Sequence, residues 1–204
     1  MTKNEKIIYS DVDEVVVKWL PAFSEKAKAL GYKVIDPTLY FLHHHFDIPE
    51  DIVEELYLDF NSSENFANLH PIDDSIIYAR KIAEDFGYKF CLISACGESQ
   101  QGQAIYDNRF KNVSSILGEE NIHSLYCTPS SAAKREVLIL NRDKGHIWVD
   151  DNISNVELGE ELGYESILYT SPYNKHYKVE PPMKRVDSWR EIYNRIKELE
   201  KGGF

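Results

Sequence analysis

Ile7-Ile8-Tyr9-Ser10-Asp11-Val12-Asp13-Glu14-Val15-Val16-Val17 sets two carboxylates, one residue apart, between two apolar runs. The first run is short and rich in Ile and aromatic residues, and it reads as a buried strand. In a strand, residues i and i+2 point the same way, so Asp11 and Asp13 aim at one spot where strand gives way to loop. Like charges held together are costly unless a cation or a proton lies between them. A divalent cation is the simplest answer. A carboxylate beside it can then serve as nucleophile or general acid.

Working outward, four more compact apolar runs read as buried strands: Lys89 to Ile93, Ser124 to Cys127, His146 to Val149 and Ser166 to Tyr169. Helical patterns separate them. Asp73 to Phe86 places Ile76, Ile77, Ala79, Ile82, Ala83 and Phe86 at helical spacing and stops at Gly87. Ser130 to Leu140 opens at Pro129-Ser130, and Asn152 to Leu162 stops at Gly163. Ser188 to Lys201 forms a last helix with Trp189, Ile192, Ile196 and Leu199 inside. Strands alternating with helices predict an α/β fold, a parallel five-stranded sheet covered on both faces. Ser171 to Val186, with Pro172, Pro181 and Pro182, reads as a surface connection.

The stretch after the first strand breaks this alternation. Pro21 to Leu30, stopped by Gly31, and Glu50 to Phe60, introduced by Pro49, read as helices, and no strand pattern lies between them. Such an insertion would hang over the carboxyl edge of the sheet, where open α/β folds bind ligands. The expected organisation is a core of residues 1–18 and 71–204 with a small helical cap of 19–70. The cap is rich in aromatic residues, most of which must form its own core. Phe23, Tyr40 and Phe41 are candidates to stack on a flat part of a substrate. Consecutive His43-His44-His45 cannot all face one way, so a polar loop is preferred to a zinc site, with one histidine near the substrate.

A net charge of -11 over 204 residues argues against an extended nucleic-acid surface, which needs clustered Lys and Arg. A local basic site for a small phosphorylated molecule stays open. The hydrophobic fraction of 43% and charged fraction of 28% are those of a soluble globular protein. Cys91, Cys96 and Cys127 lack metal-ligand spacing and read as free thiols in a reducing compartment. The polar N-terminus shows no signal peptide, and no apolar stretch has membrane-spanning length. The expected location is cytoplasmic, with no membrane partner. The cap or the final helix offers a surface for a homodimer.

Three further signals fall at strand ends. Phe90-Cys91-Leu92-Ile93 ends in Ser94, whose hydroxyl and following amides suit a phosphate oxygen. Lys134, early in the helix after Pro129, could put a positive charge on the same phosphate. Ile147-Trp148-Val149 ends in Asp150-Asp151. Asp11, Asp13, Asp150 and Asp151 could together hold one hard cation through oxygen, in the manner of Mg2+.

With Asp11-Val12-Asp13, Ser94, Lys134 and Asp150-Asp151 in this order, the chain resembles the haloacid dehalogenase (HAD) superfamily of phosphohydrolases. The likeness spans Ile7 to about Leu162. Within the superfamily, the size, the cap position and Phe66-Ala67-Asn68-Leu69-His70-Pro71-Ile72 are similar to the 5'(3')-deoxyribonucleotidase group. The resemblance implies a Rossmann-like core and a phosphatase mechanism. Asp11 would be the nucleophile that forms an aspartyl-phosphate, and Asp13 the general acid and base. Magnesium would be held by the Asp11 carboxylate, the Asp13 main-chain carbonyl and Asp150-Asp151, with Asp151 the preferred direct ligand. Ser94 and Lys134 would bind the phosphoryl oxygens, with Val12 and Ala95 beside them.

One position departs from the pattern. The family usually has Gly after the second aspartate, where this chain has Glu14. The simpler placement is an ordinary backbone conformation with the side chain in solvent. The other brings a negative charge near the phosphate. Several functions stay open: a magnesium-dependent phosphatase of nucleoside monophosphates, which is favoured, a sugar or metabolite phosphatase, a polynucleotide-end phosphatase, or a non-catalytic binding protein on this scaffold.

Overall fold

The computed structural model describes residues 5–142 and 146–202. Its centre is a parallel sheet of β1 (Lys6–Ser10), β2 (Tyr88–Ala95), β3 (Ile122–Thr128), β4 (Ile147–Asp150), β5 (Glu165–Tyr169) and β6 (Lys184–Val186). The strand order is β3-β2-β1-β4-β5-β6, so the winding reverses between β1 and β4. Loops diverge at such a reversal and leave a crevice at the carboxyl ends of the two strands. The register pairs Ser10 with Val149, which brings the ends of β1 and β4 together.

The five expected strands are present, and a sixth joins them. Lys184–Val186 lies inside the stretch expected to be a surface connection. It is short, with Lys184 exposed and only Val186 buried, so it carries no apolar run to announce it. Its pairing with β5 and four hydrogen bonds from Arg185 to Thr170, Asn174 and Tyr177 hold it at the sheet edge.

The helices are α1 (Trp19–Ala29), α2 (Leu42–His45), α3 (Glu50–Ser62), α4 (Ser75–Phe86), α5 (Gly102–Leu117), α6 (Lys134–Asn141), α7 (Ile153–Glu161) and α8 (Trp189–Gly202), of which α4 to α8 cover the two faces of the sheet. Alternation along the central strands divides the core. Ile8, Phe90, Leu92 and Val149 face a cluster that includes Ala79 and Ile82 of α4 and Trp189, Ile192 and Ile196 of α8. Ile7, Tyr9, Cys91, Ile93 and Trp148 face the other way, onto Leu138 of α6 and Tyr164. Because both faces are buried, these strands read as continuous apolar runs rather than as alternating ones.

The insertion after β1 holds α1, α2 and α3. Trp19 stacks on Phe23 at 4.8 Å, and Phe23 meets Phe46 and Phe60 edge-on, each at 5.6 Å. These rings belong to the same cluster as the sheet face under α4 and α8. Polar ties join the parts: Trp19 Nε1 donates to Asn61 (2.9 Å), and Asn61 Nδ2 donates to the Cys96 carbonyl (3.1 Å). The expected histidine loop is one turn of helix, with His45 buried. Among the described residues, no helix is long and apolar enough to cross a membrane.

Candidate active site

The crevice at the reversal holds the two acidic pairs. Asp11 follows β1, and its amide donates to the Val149 carbonyl of β4 (2.8 Å), which seats it beside Asp150. Asp11, Asp150 and Asp151 are all buried and offer oxygens within 4.8 Å of one another. Lys134, at the start of α6, sits between two of them, with Nζ 2.7 Å from Asp11 Oδ1 and 3.0 Å from Asp150 Oδ2. Burial works against its charge, but the two carboxylates outweigh it and hold the ammonium above its ordinary range.

Asp150 is fully engaged. Its Oδ1 accepts from the Asn152 amide (2.7 Å), and its Oδ2 accepts from Asn155 Nδ2 (2.9 Å) as well as from Lys134. Burial raises its pKa to about 6. Among the described residues, no cation pairs with Asp151. Burial, with Asp11 and Asp150 close by, pushes its carboxyl well above the usual range. Tyr173 faces it, and burial together with that carboxylate raises the phenol.

Asp13 lies apart from this cluster. Its carboxylate meets Arg109, whose Nη2 donates to both oxygens at 2.6 and 2.8 Å. Ser94 Oγ is 3.4 Å from Asp13 Oδ2. Four buried or half-buried carboxylates thus face two buried cations, which leaves the centre two charges short of neutral if all are ionised. Oxygen ligands this close together fit a hard divalent ion. Asp11 and Asp151 have the free oxygens to hold it, and Asp150 supports Lys134.

Glu14 contradicts the simpler expectation. Its φ is +57°, the left-handed region that a glycine would occupy without strain. Its side chain does not point into solvent. Oε1 accepts from the Leu20 amide (2.7 Å) in the first turn of α1, and burial raises its pKa to about 7. The carboxylate offsets the strain of the turn by satisfying an amide that the helix leaves free.

Over the cluster lies a cavity of about 340 Å³, walled by core and insertion. Asp11, Asp13, Lys134 and Asp151 line it, as do Ala95, Tyr57 and Tyr173. Tyr40 and Phe41 stand at its rim, 43% and 59% exposed. Phe23 does not reach it; the ring is wholly buried among Trp19, Phe46 and Phe60. The Val12 side chain is also in the core, while its amide donates to Asp11 Oδ1 (2.6 Å). Ser94 is fully buried below the cavity wall, and the Cys96 amide is spent on the Thr128 carbonyl (2.9 Å). His43 lines the cavity.

Nothing in the sequence reading pointed to Arg109, and Tyr57 counted only as one of the aromatic rings of the insertion. Tyr57 donates to the Ala95 carbonyl (2.6 Å) and so pins the turn after β2. The neighbouring Gly97 (φ +82°) lies so near α3 that a Cβ there would stand 2.5 Å from Leu58. A signal for Arg109 existed: it lies between Ile105 and Val113 on the buried stripe of α5, an odd place for a cation.

No family model matches the sequence, and no curated protein matches it. Solved structures do resemble the fold. CbbY from Rhodobacter sphaeroides, in complex with phosphate, superposes with a TM-score of 0.59 at 14% identity, covering 93% of this chain and 96% of that one. D,D-heptose 1,7-bisphosphate phosphatase from Burkholderia thailandensis gives 0.55 at 11% identity, over 96% and 100%. A haloacid dehalogenase-like hydrolase from Burkholderia xenovorans LB400 gives 0.53 at 10% identity, over 96% and 98%. The chain therefore shares the Rossmann-like α/β fold of these solved structures, with its buried acidic cluster at the carboxyl edge of the sheet.

Proposed function

We propose that the chain is a magnesium-dependent phosphomonoester hydrolase that works through an aspartyl-phosphate on Asp11. One observation carries this reading: Asp11, Lys134, Asp150 and Asp151 converge at the sheet's reversal, and Asp11, Lys134 and Asp151 open onto the cavity above it. A bound cation would sit between Asp11 and Asp151, with the Asp13 main-chain carbonyl beside it, and would neutralise the phosphate as it meets the acidic cluster.

In this reading an Asp11 carboxylate oxygen attacks phosphorus in line, and the bond from phosphorus to the leaving oxygen breaks. Lys134, already against Asp11 Oδ1, meets the charge on the transferring oxygens, while the buried Ser94 hydroxyl acts on Asp13 Oδ2 (3.4 Å) rather than on the phosphoryl group. Asp13, which lines the cavity, gives a proton to the leaving oxygen. It then takes a proton from the water that attacks the aspartyl-phosphate, freeing Asp11 and inorganic phosphate. Positioning and charge neutralisation supply most of the rate in phosphoryl transfer, so a rigid buried ion cluster suits the chemistry.

Residues 19–70 act as the cap that selects the leaving group. Trp19, Tyr40, Phe41, Tyr57 and Tyr173 give the cavity an aromatic wall, which favours a flat ring such as that of a nucleoside monophosphate. The test is phosphate release from a chromogenic phosphate ester with magnesium, with EDTA, and by Asp11→Asn. Equal rates in all three would sink the mechanism. A panel of deoxynucleoside and ribonucleoside monophosphates, sugar phosphates and 3'-phosphorylated oligonucleotides then reads the substrate class. If nucleotides are turned over no better than sugar phosphates, the nucleotidase assignment is wrong.

A further inference from the structure

Arg109 is wholly buried in α5, with its guanidinium carbon 3.9 Å from the centroid of the Phe66 ring. Its Nη2 spans both oxygens of Asp13. Nε and Nη1 are buried with no hydrogen-bond partner among the described residues. A buried guanidinium is costly unless well satisfied, and an apolar side chain would fill the same space at no such cost. Stability alone is therefore a poor reason for this residue. What the arginine does achieve is to hold Asp13 from behind.

The front of Asp13 is open. It lines the cavity, and its side chain keeps 23% exposure against 0% for Arg109. Ser94 Oγ lies 3.4 Å from Oδ2 on the buried side. The helix that carries Arg109 is itself fixed. Asn112 Nδ2 donates to the Leu69 carbonyl (3.0 Å), and Asn108 Nδ2 donates to the carbonyls of Ser62 (3.1 Å) and Ser63 (3.2 Å). The clamp on Asp13 thus rests on a helix tied to the end of the insertion.

We propose that Arg109 is a positioning residue, which holds the Asp13 carboxyl group in the orientation from which it hands a proton to the leaving oxygen. The inference rests on the hydrolase reading above. The proton moves from Asp13 to the leaving oxygen as the phosphorus–oxygen bond breaks and the bond from phosphorus to Asp11 forms. An alkoxide needs that proton, whereas 4-nitrophenolate leaves readily as an anion. Loss of a group acting through Asp13 must therefore hurt an alkyl ester more than an activated aryl ester.

The experiment compares kcat/KM for 2-phenylethyl phosphate and 4-nitrophenyl phosphate, which are similar in size, with magnesium present. Arg109→Gln is expected to lower the alkyl ester by about 100-fold and the aryl ester by less than about tenfold, within the range of general acid catalysis. Asp13→Asn should show the same selectivity, and adding Arg109→Gln to it should change the alkyl rate by less than about threefold, because the two act as one unit. Equal losses on both esters, or fully multiplied losses in the double variant, would overturn the proposal. If Arg109→Gln does not fold, Arg109→Met fills the space with an apolar side chain and removes the contact to Asp13, and the same ratio is read. A ratio unchanged from wild type then overturns the proposal. Should the wild type hydrolyse neither ester, the hydrolase reading has failed and this inference falls with it. Should wild type and Asp13→Asn behave as stated while the Arg109 variants do not, only the inference fails.

Discussion

Replacing Lys134 by Met removes the ammonium that lies 2.7 Å from Asp11 and 3.0 Å from Asp150 while keeping most of the side chain's volume. The two carboxylates are then left buried with no cation between them. Breaking a buried ion pair from one side costs about 3–5 kcal/mol, because the remaining charge is not solvated. For a chain of 204 residues this corresponds to a fall in Tm of about 6–20 °C. The measurement is urea and thermal unfolding of Lys134→Met in EDTA at pH 8, where no metal can stand in for the lysine. The loss should shrink toward pH 5.5. Burial already holds the Asp150 pKa at about 6, so a proton can replace the missing charge there. Asp150→Asn combined with Lys134→Met should be less destabilised than the sum of the single variants by about 1–3 kcal/mol, since only Asp11 is then left as a charge without its partner. A single-variant loss below about 1 kcal/mol would refute the reasoning, as would additivity within about 0.5 kcal/mol.

Three more outcomes follow from the same geometry. Magnesium at about 100 times its Kd should stabilise the protein by about 2.7 kcal/mol, and Asp151→Asn should abolish most of that gain in a thermal-shift titration. Glu14→Ala loses the bond to the Leu20 amide but keeps the left-handed turn, so it should cost about 1–2 kcal/mol in urea unfolding. Glu14→Gly relieves about 1 kcal/mol of that strain, so it should cost less; a larger loss would show that the turn is unstrained. In EDTA the wild type should lose stability as pH rises. Glu14 (about 7) and Asp150 (about 6) are acids raised by burial from ordinary values of 4.5 and 3.8, so the folded chain holds their protons more tightly than the unfolded one. The full contribution is present below the ordinary values and is lost as pH climbs through about 6 to 7, at on the order of 1 kcal/mol per pH unit for each group. A flat or rising curve over that window would contradict these environments.

The fold was legible because its strands are buried on both faces. Ile7 to Tyr9 and Ile147 to Val149 need no partner pattern to be read, as their apolar runs are continuous. Lys184–Val186 was not legible, because an edge strand of three residues held by backbone pairing and by Arg185 carries almost no hydrophobic signal. Phe23 was misplaced for a related reason. Aromatic content marks a packed core and a cavity wall alike, and only packing shows that Phe23 belongs to the first while Tyr40 and Phe41 stand at the rim of the cavity. Glu14 was misread because residue preference argues against a glutamate at positive φ, whereas the Leu20 amide, six residues on, gives its carboxylate a partner there.

The sequence by itself determined which chemical groups sit at the strand ends. Asp11, Asp13, Ser94, Asp150 and Asp151 each follow or flank an apolar run, Lys134 opens the helix after another, and a parallel sheet must bring the carboxyl ends of such runs to one edge. Only the tertiary structure decided how those groups divide. The pairing of Ser10 with Val149 sets Asp11 beside Asp150, with Lys134 between them, and among the described residues no cation pairs with Asp151. The packing of α5 against the sheet turns Asp13 away from that cluster and onto Arg109, 96 residues later in the chain. Distances of this kind depend on which helix lies over which strand, and no local pattern of residue types records that.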